Sequence, residues 1–195
     1  SCKTQTVGLE NIELVLINNT KGEFKSAAAA LNYGADKAQG DKLIFLHQDI
    51  EFLWEDALEY IEDYLDKNPR ALIGAAGVTC RDKGFDGEIV SSMYAGPDKT
   101  KYSDEENPRE GFVLDECLFG CNRELFKTIR FDEKVCDGWH LYAADLCLQA
   151  VINSFEVVIL PLPQVWHKSN GNADKAYFAT QNELAKKYRK NFKII

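Results

Sequence analysis

Apolar and polar positions alternate along this chain in short blocks, and the lengths of the blocks predict its elements. Ile12 to Ile17 (IELVLI) is apolar with β-branched ends, which predicts a buried strand. Asn18-Asn19-Thr20 then breaks it with turn chemistry. From Phe24 to Gln39 the alanines and Leu31 recur at helical spacing until Gly40-Asp41 closes the helix. Leu43 to Leu46 predicts a second buried strand, ending in His47-Gln48-Asp49. Leu53, Ala57, Leu58, Ile61 and Leu65 make one helical stripe, stopped by Asn68-Pro69, and Leu72 to Val78 predicts a third strand. Strand, helix, strand, helix, strand at this spacing predicts a mostly parallel central sheet with right-handed crossovers, flanked by helices.

The pattern loosens from Cys80 to Gly111, where Gly84, Gly87, Gly96, Pro97 and Pro108 punctuate polar sequence; a hairpin or a long loop over the sheet is expected. Val113 to Asn122 predicts a strand, Arg123 to Ile129 a short helix and Tyr142 to Asn153 a longer one. Glu156 to Leu160 and Gln164 to Trp166 are strand-like, and a charged helix from about Asp174 to Lys190 follows. With no internal repeat and no linker, residues 1–195 read as a single α/β domain.

Composition narrows the function. Hydrophobic residues are 45% and charged residues 28% of the 195, which is ordinary for a globular chain with a sizeable core. With 31 Asp and Glu against 23 Lys and Arg, the net charge is −8, which argues against a nucleic-acid partner but leaves room for a local anion site. The apolar stretches Ala71 to Val78 and Val157 to Leu162 fall far short of the ~20 residues of a spanning helix, and Ser1 to Thr6 has no apolar core of a signal peptide. None of the six cysteines (2, 80, 117, 121, 136 and 147) has zinc-ribbon spacing, so reduced, mostly buried thiols in a cytoplasmic protein are expected. Lys175, Lys186, Lys187, Arg189, Lys190 and Lys193 make the final stretch basic; this is either a solvated face or a peripheral contact with an anionic membrane.

Three polar clusters stand where predicted strands end: Asn18-Asn19-Thr20, His47-Gln48-Asp49 and His167-Lys168-Ser169. In an open α/β sheet such ends line the ligand crevice. A carboxylate at Asp49 with an imidazole from another strand end suits a divalent cation that also holds a diphosphate. Asp49 would equally serve as a cap on the helix that follows.

Four ordered blocks then carry a resemblance. The run from Ala27 to Asp49 (AAAALNYGADKAQGDKLIFLHQD) resembles the family 2 glycosyltransferase signature, in which an asparagine-glycine helix and an alanine-glycine turn lead into the strand of an Asp-x-Asp motif. Phe119 to Phe126 (FGCNRELF) with Phe131-Asp132-Glu133 resembles the acceptor-side segment, Asp137 to Leu148 (DGWHLYAADLCL) the catalytic helix, and Trp166 to Ser169 (WHKS) the late histidine motif. The resemblance implies a single GT-A-like, Rossmann-like domain. It also implies a nucleotide-diphosphate sugar donor, a saccharide or lipid-linked acceptor, and a divalent cation, manganese or magnesium.

Carried over by position, the resemblance makes Asp49 and His167 metal ligands, and Asn18, Asn19, Asn32 and Gln48 contacts to the nucleotide-sugar. His47 replaces the first aspartate of the motif and is not assigned as a ligand. The family's catalytic Glu-Asp pair is replaced by Tyr142 and Ala143, which leaves Asp137, ahead of Asp145, as the expected catalytic carboxylate. Asp115, Trp139 and His140 are expected at the acceptor. Gln5-Thr6 stands where the family has already completed a strand and most of a helix, so the first strand of the family is expected to be absent. The other reading is a GT-A-like domain that binds a nucleotide or glycan without transferring sugar, favoured by His47 and Ala143.

Overall fold

The computed structural model describes residues 12–79, 87–101, 103–162 and 164–192. Its first half runs α1 (Ala27–Lys37), β1 (Lys42–Leu46), β2 (Ile50–Phe52), α2 (Ala57–Lys67), β3 (Ala71–Gly74), β4 (Ala76–Val78) and β5 (Ile89–Ser91). Short strands follow: β6 (Tyr94–Ala95), β7 (Thr100–Lys101), β8 (Arg109–Glu110) and β9 (Val113–Leu114). The remainder is β10 (Leu118–Asn122), α3 (Arg123–Thr128), α4 (Tyr142–Ile152), β11 (Glu156–Ile159), β12 (Val165–His167) and α5 (Lys175–Tyr188).

The main sheet has the order β1-β10-β3-β11-β8, and it is mixed. Only β11 with β3 is parallel; β1 with β10, β10 with β3 and β11 with β8 are antiparallel. The mostly parallel sheet expected from strand–helix alternation is therefore corrected. β10, from late in the chain, enters between β1 and β3 in the opposite direction, and local periodicity carries no information on pairing order. The fit is close: a Cβ on Gly120 would stand 2.6 Å from both the Leu43 carbonyl and the Ile44 side chain.

Side chains alternate faithfully across this sheet. Leu43, Phe45, Leu72, Phe119, Cys121, Val157 and Ile159 face one core, shared with α1, α3 and α4. Ile73, Leu118 and Val158 face the other, covered by Ile61 and Leu65 of α2. Phe45, Phe119, Phe126 and Phe131 pack ring to ring between 5.1 and 6.0 Å, a geometry that adds to simple burial.

Several expected strands are divided. Leu72 to Val78 is two strands, β3 in the main sheet and β4 in a three-stranded sheet with β5 and β9. Val113 to Asn122 is likewise β9 and β10, separated by Asp115 to Cys117. Ile12 to Ile17 is extended but pairs with no strand among the described residues, and Ile12, Leu14 and Leu16 are exposed, so the buried strand expected there is corrected. Alternation without a neighbouring strand leaves its outer face in water. Residues 1–11, and with them the expectation about the first strand, lie outside the described residues. β2 was not foreseen; it pairs antiparallel with β12, setting His167 opposite Ile50.

The carboxylate of Asp145, in the first turn of α4, is fully buried. It accepts from Lys187 Nζ at 2.6 Å, Tyr188 Oη at 2.7 Å and Gln149 Nε2 at 2.7 Å. Lys187 also reaches Asp132 at 2.9 Å. This clasp docks α5 on α4, and it turns Lys187 away from the basic surface predicted for it. Cys117, Cys121, Cys136 and Cys147 are free and buried, as expected, while Cys2 and Cys80 lie outside the described residues. Among the described residues no helix is long and apolar enough to cross a membrane.

Removing one member of an enclosed ion pair strands the other. Asp145→Asn is expected to lower stability by about 2–4 kcal/mol, a fall of roughly 4–16 °C in melting temperature for a chain this size. The same change in a Lys187→Met background should cost less. Equal losses in the two backgrounds, read by thermal denaturation, would remove the clasp.

Candidate functional site

Two sheets meet at one polar edge. β1 ends at Leu46, and the ladder with β10 is extended by His47 N–H donating to the Cys117 carbonyl at 2.9 Å. The next residues turn, with Ile50 N–H closing on the His47 carbonyl at 3.3 Å, and the chain leaves as β2. Because β2 pairs with β12, the end of β12 returns beside that turn. Lys168 N–H donates to the Asp49 carbonyl at 3.2 Å, and Ser169 N–H to Asp49 Oδ2 at 3.1 Å.

One nitrogen of His47, one oxygen of Asp49 and one nitrogen of His167 thereby lie within 4.8 Å of one another. His47 Nδ1 is 3.4 Å from His167 Nε2, which is 3.4 Å from Asp49 Oδ1 and 3.2 Å from Ser169 Oγ. An octahedral cation with bonds of about 2.1 Å holds adjacent donor atoms about 3 Å apart. The three groups fit such an ion with little movement. Two imidazoles and one carboxylate on one side of it leave the opposite positions open for other oxygens.

The electrostatics agree. Burial holds the His47 imidazole below its ordinary pKa, aided by the neighbouring charge of His167 and opposed by Asp115 and Asp49. A neutral ring is the form that binds metal. Burial pushes Asp49 up, but the Ser169 bond and the two histidines outweigh it and keep the carboxyl below its usual range.

Behind the cluster stands the start of α4. Tyr142, its first residue, is buried with its ring against Phe131 at 5.9 Å and Phe119 at 6.2 Å, and its hydroxyl is 2.9 Å from His47 Nε2. Tyr142 N–H donates to Glu116 Oε1 at 2.7 Å. Leu141, just before it, holds a left-handed backbone with φ of 62°, a conformation that costs a branched residue about 1 kcal/mol. Burial, with the adjacent charge of Asp115, drives Glu116 up to about 8 despite the N–H groups of Tyr142, Ala143 and Leu141 that face it.

The structure sorts the residues singled out from the sequence. Asp49 and His167 meet, and His47, left unassigned there, joins them; its signal was the His-x-Asp spacing at the end of a buried strand. Asp115 is exposed on the same edge, accepting from Cys117 N–H at 2.9 Å, and its charge acts on His47, Glu116 and Tyr142. Gln48 is exposed in the turn between His47 and Asp49. Asn18 and Asn19 use their amides in turns, the first accepting from Thr20 and the second bridging both ways to Phe24. Asn32 is buried and engaged, donating to the Phe131 carbonyl at 3.0 Å and Glu133 at 2.8 Å and accepting from Arg130 at 3.2 Å. Its amide joins α1 to the segment after α3.

Asp137 is exposed in the loop before α4, and Trp139 in the same loop is 51% exposed. His140 Nε2 lies 3.3 Å from Asp174, the residue that caps α5, and edge-on to Tyr177 at 5.9 Å. Asp145 is a correction. A general base must reach a substrate hydroxyl, and this carboxylate is sealed beneath α5 with Lys187 and Tyr188 upon it.

Comparison with known proteins adds a family and a fold. A family model described as "Glycosyltransferase like family" matches residues 6–192. A curated relative from Fuscovulum blasticum, "ATP synthase subunits region ORF 6", is 27% identical over 164 residues, which are 80% of this chain and 63% of that protein. The chain thus spans less than two thirds of the length of that relative. The solved structure of GalNAc-T7 with UDP, GalNAc and Mn2+ is similar with a TM-score of 0.55 at 15% identity, over 85% of this chain and 35% of that one. The mannosyltransferase PcManGT from Pyrobaculum calidifontis, in complex with GDP-Man and Mn2+, has a TM-score of 0.48 at 16% identity, over 84% of this chain and 41% of that one.

Glu116 yields a test by pH. Pushed up to about 8 from the ordinary carboxyl value of 4.5, it contributes stability that is present below about pH 4.5 and is lost as pH rises through 8. Glu116→Gln removes that dependence. Between pH 4.5 and 8.5 the wild type should lose about 2–4 kcal/mol relative to the variant in denaturant titrations. A constant difference across that range would show that the carboxyl is not held neutral.

Proposed function

The chain belongs to the Glycosyltransferase like family, and from that premise we propose that it transfers a sugar from a nucleotide-diphosphate donor to a saccharide or lipid-linked acceptor with the help of a divalent cation. One observation carries the reading: the His47-Gln48-Asp49 turn and His167, 120 residues after His47, bring three metal-ligating atoms together at the edge where strand ends converge. GalNAc-T7, whose fold this chain shares, was solved with UDP and Mn2+. His47, Asp49 and His167 would hold the cation; when bound, it offsets the charge that builds on the departing diphosphate. Two nitrogen donors and one oxygen favour manganese over magnesium, which prefers oxygen.

The rest of the proposal concerns this chain's own groups. Gln48 and the amides of Asn18 and Asn19 are donor contacts, and Asn32 supports that side by joining α1 to Phe131 and Glu133. Asp137, exposed before α4, takes the proton from the acceptor hydroxyl in an inverting course. The acceptor oxygen then bonds to the anomeric carbon as the anomeric C–O bond to the donor breaks and its electron pair leaves with the nucleoside diphosphate. Trp139 and His140 line the acceptor side, and Asp115 is a further acceptor contact. Exposed Lys175, Arg189 and Lys190 support peripheral contact with an anionic membrane in a cytoplasmic setting.

A second reading, a domain that binds a nucleotide or glycan without transferring sugar, is favoured by the enclosure of Asp145 and by Tyr142 and Ala143 in place of a catalytic pair. Melting curves with UDP, GDP or CDP, with and without manganese, separate the two. The expected outcome is a manganese-dependent stabilisation by one nucleotide, about 2.7 kcal/mol at 100 times its dissociation constant, lost in Asp49→Asn. Stabilisation that ignores manganese would favour the binding domain, and none with any nucleotide would remove the transferase and leave a glycan-binding domain ahead.

A further inference from the structure

His47 has two ring nitrogens, and the structure gives each a different neighbour. Nδ1 points into the cluster, 3.4 Å from His167 Nε2, and Nε2 points away from it to the Tyr142 hydroxyl at 2.9 Å. A neutral imidazole carries one proton. If that proton sits on Nδ1, it is directed at His167, and the lone pair, on Nε2, faces Tyr142 instead of the cluster. If it sits on Nε2, it is donated to Tyr142 Oη, and Nδ1 is free to bind.

We propose that Tyr142 is a positioning residue that selects the metal-binding tautomer of His47, so that the ring ligates through Nδ1. This rests on the reading of His47, Asp49 and His167 as a cation site. The hydroxyl is well placed for such a task, because Tyr142 has little freedom. Its ring packs against both Phe119 and Phe131, its N–H is fixed to Glu116, and α4 begins at this residue behind the left-handed turn of Leu141. Its buried hydroxyl is 2.9 Å from Nε2 and accepts from that nitrogen when the proton sits there. Hydrogen-bond partners of this kind, one bond removed from a metal, commonly alter affinity by 10–100-fold.

Tyr142→Phe is the discriminating variant, since the ring and its packing stay and only the oxygen is removed. Three readouts are taken on the full chain at one pH, without nucleotide: Mn2+ binding by electron paramagnetic resonance, the His47 tautomer in the metal-free protein by 15N–1H correlation, and the melting temperature. The wild type is expected to show His47 protonated on Nε2. In Tyr142→Phe the Nδ1-protonated form gains, Mn2+ affinity falls about 10-fold or more, and the variant still melts cooperatively. Mn2+ affinity within twofold of wild type together with an unchanged tautomer overturns the proposal, even if the melting temperature moves. A wild type that binds no Mn2+ overturns the cation site itself, and the two failures are thereby distinguished.

Discussion

The polar edge of this protein is organised by one carboxyl group closed in at the start of a helix. Glu116 receives the N–H of Tyr142, with those of Leu141 and Ala143 turned towards it, and so sets where α4 begins. A charge would ordinarily be welcome at a helix amino terminus. Here burial and the charge of Asp115 win, and the group is held largely neutral near pH 7. The same three-residue break between β9 and β10 supplies the Cys117 carbonyl that holds His47 N–H. One interruption in an apolar run therefore fixes both the end of β1 and the first turn of α4.

From that break the rest of the arrangement follows. β10 can enter between β1 and β3 only because Gly120 lets the backbones approach, and its insertion puts the residues before it beside the end of β1. β2 and β12, a second sheet of very short strands, then deliver Asp49 and His167 to the same place. Neither sheet alone contains the cluster.

Much of the architecture was legible in the sequence. α2 is the clearest case, because Ala57, Ile61 and Leu65 form a stripe that has to find a core. α3, α4 and β11 lie within a residue or two of where local pattern puts them. What escaped was long-range. Leu72 to Val78 reads as one apolar run whether it is one strand or two in different sheets, and the change of sheet at Ala75 leaves no local mark. Three-residue β2 is too short for a period. At the site, Asp49 and His167 were legible through the resemblance, whereas His47 was set aside because it departs from it. Asn32 shows the opposite limit. Its place in the signature is kept, but its amide is spent on Phe131, Glu133 and Arg130, and none of those contacts can be seen along the chain.

The clasp around Asp145 also has an evolutionary side. A carboxylate with no exposure, tied to a lysine 42 positions away, tolerates change only if its partners change with it. Asp132, Asp145 and Lys187 should consequently drift through related chains as a set, kept together or replaced together by apolar residues. An aspartate preserved in that way looks like a catalytic residue to anyone reading aligned sequences. In this fold its persistence would record the docking of a helix.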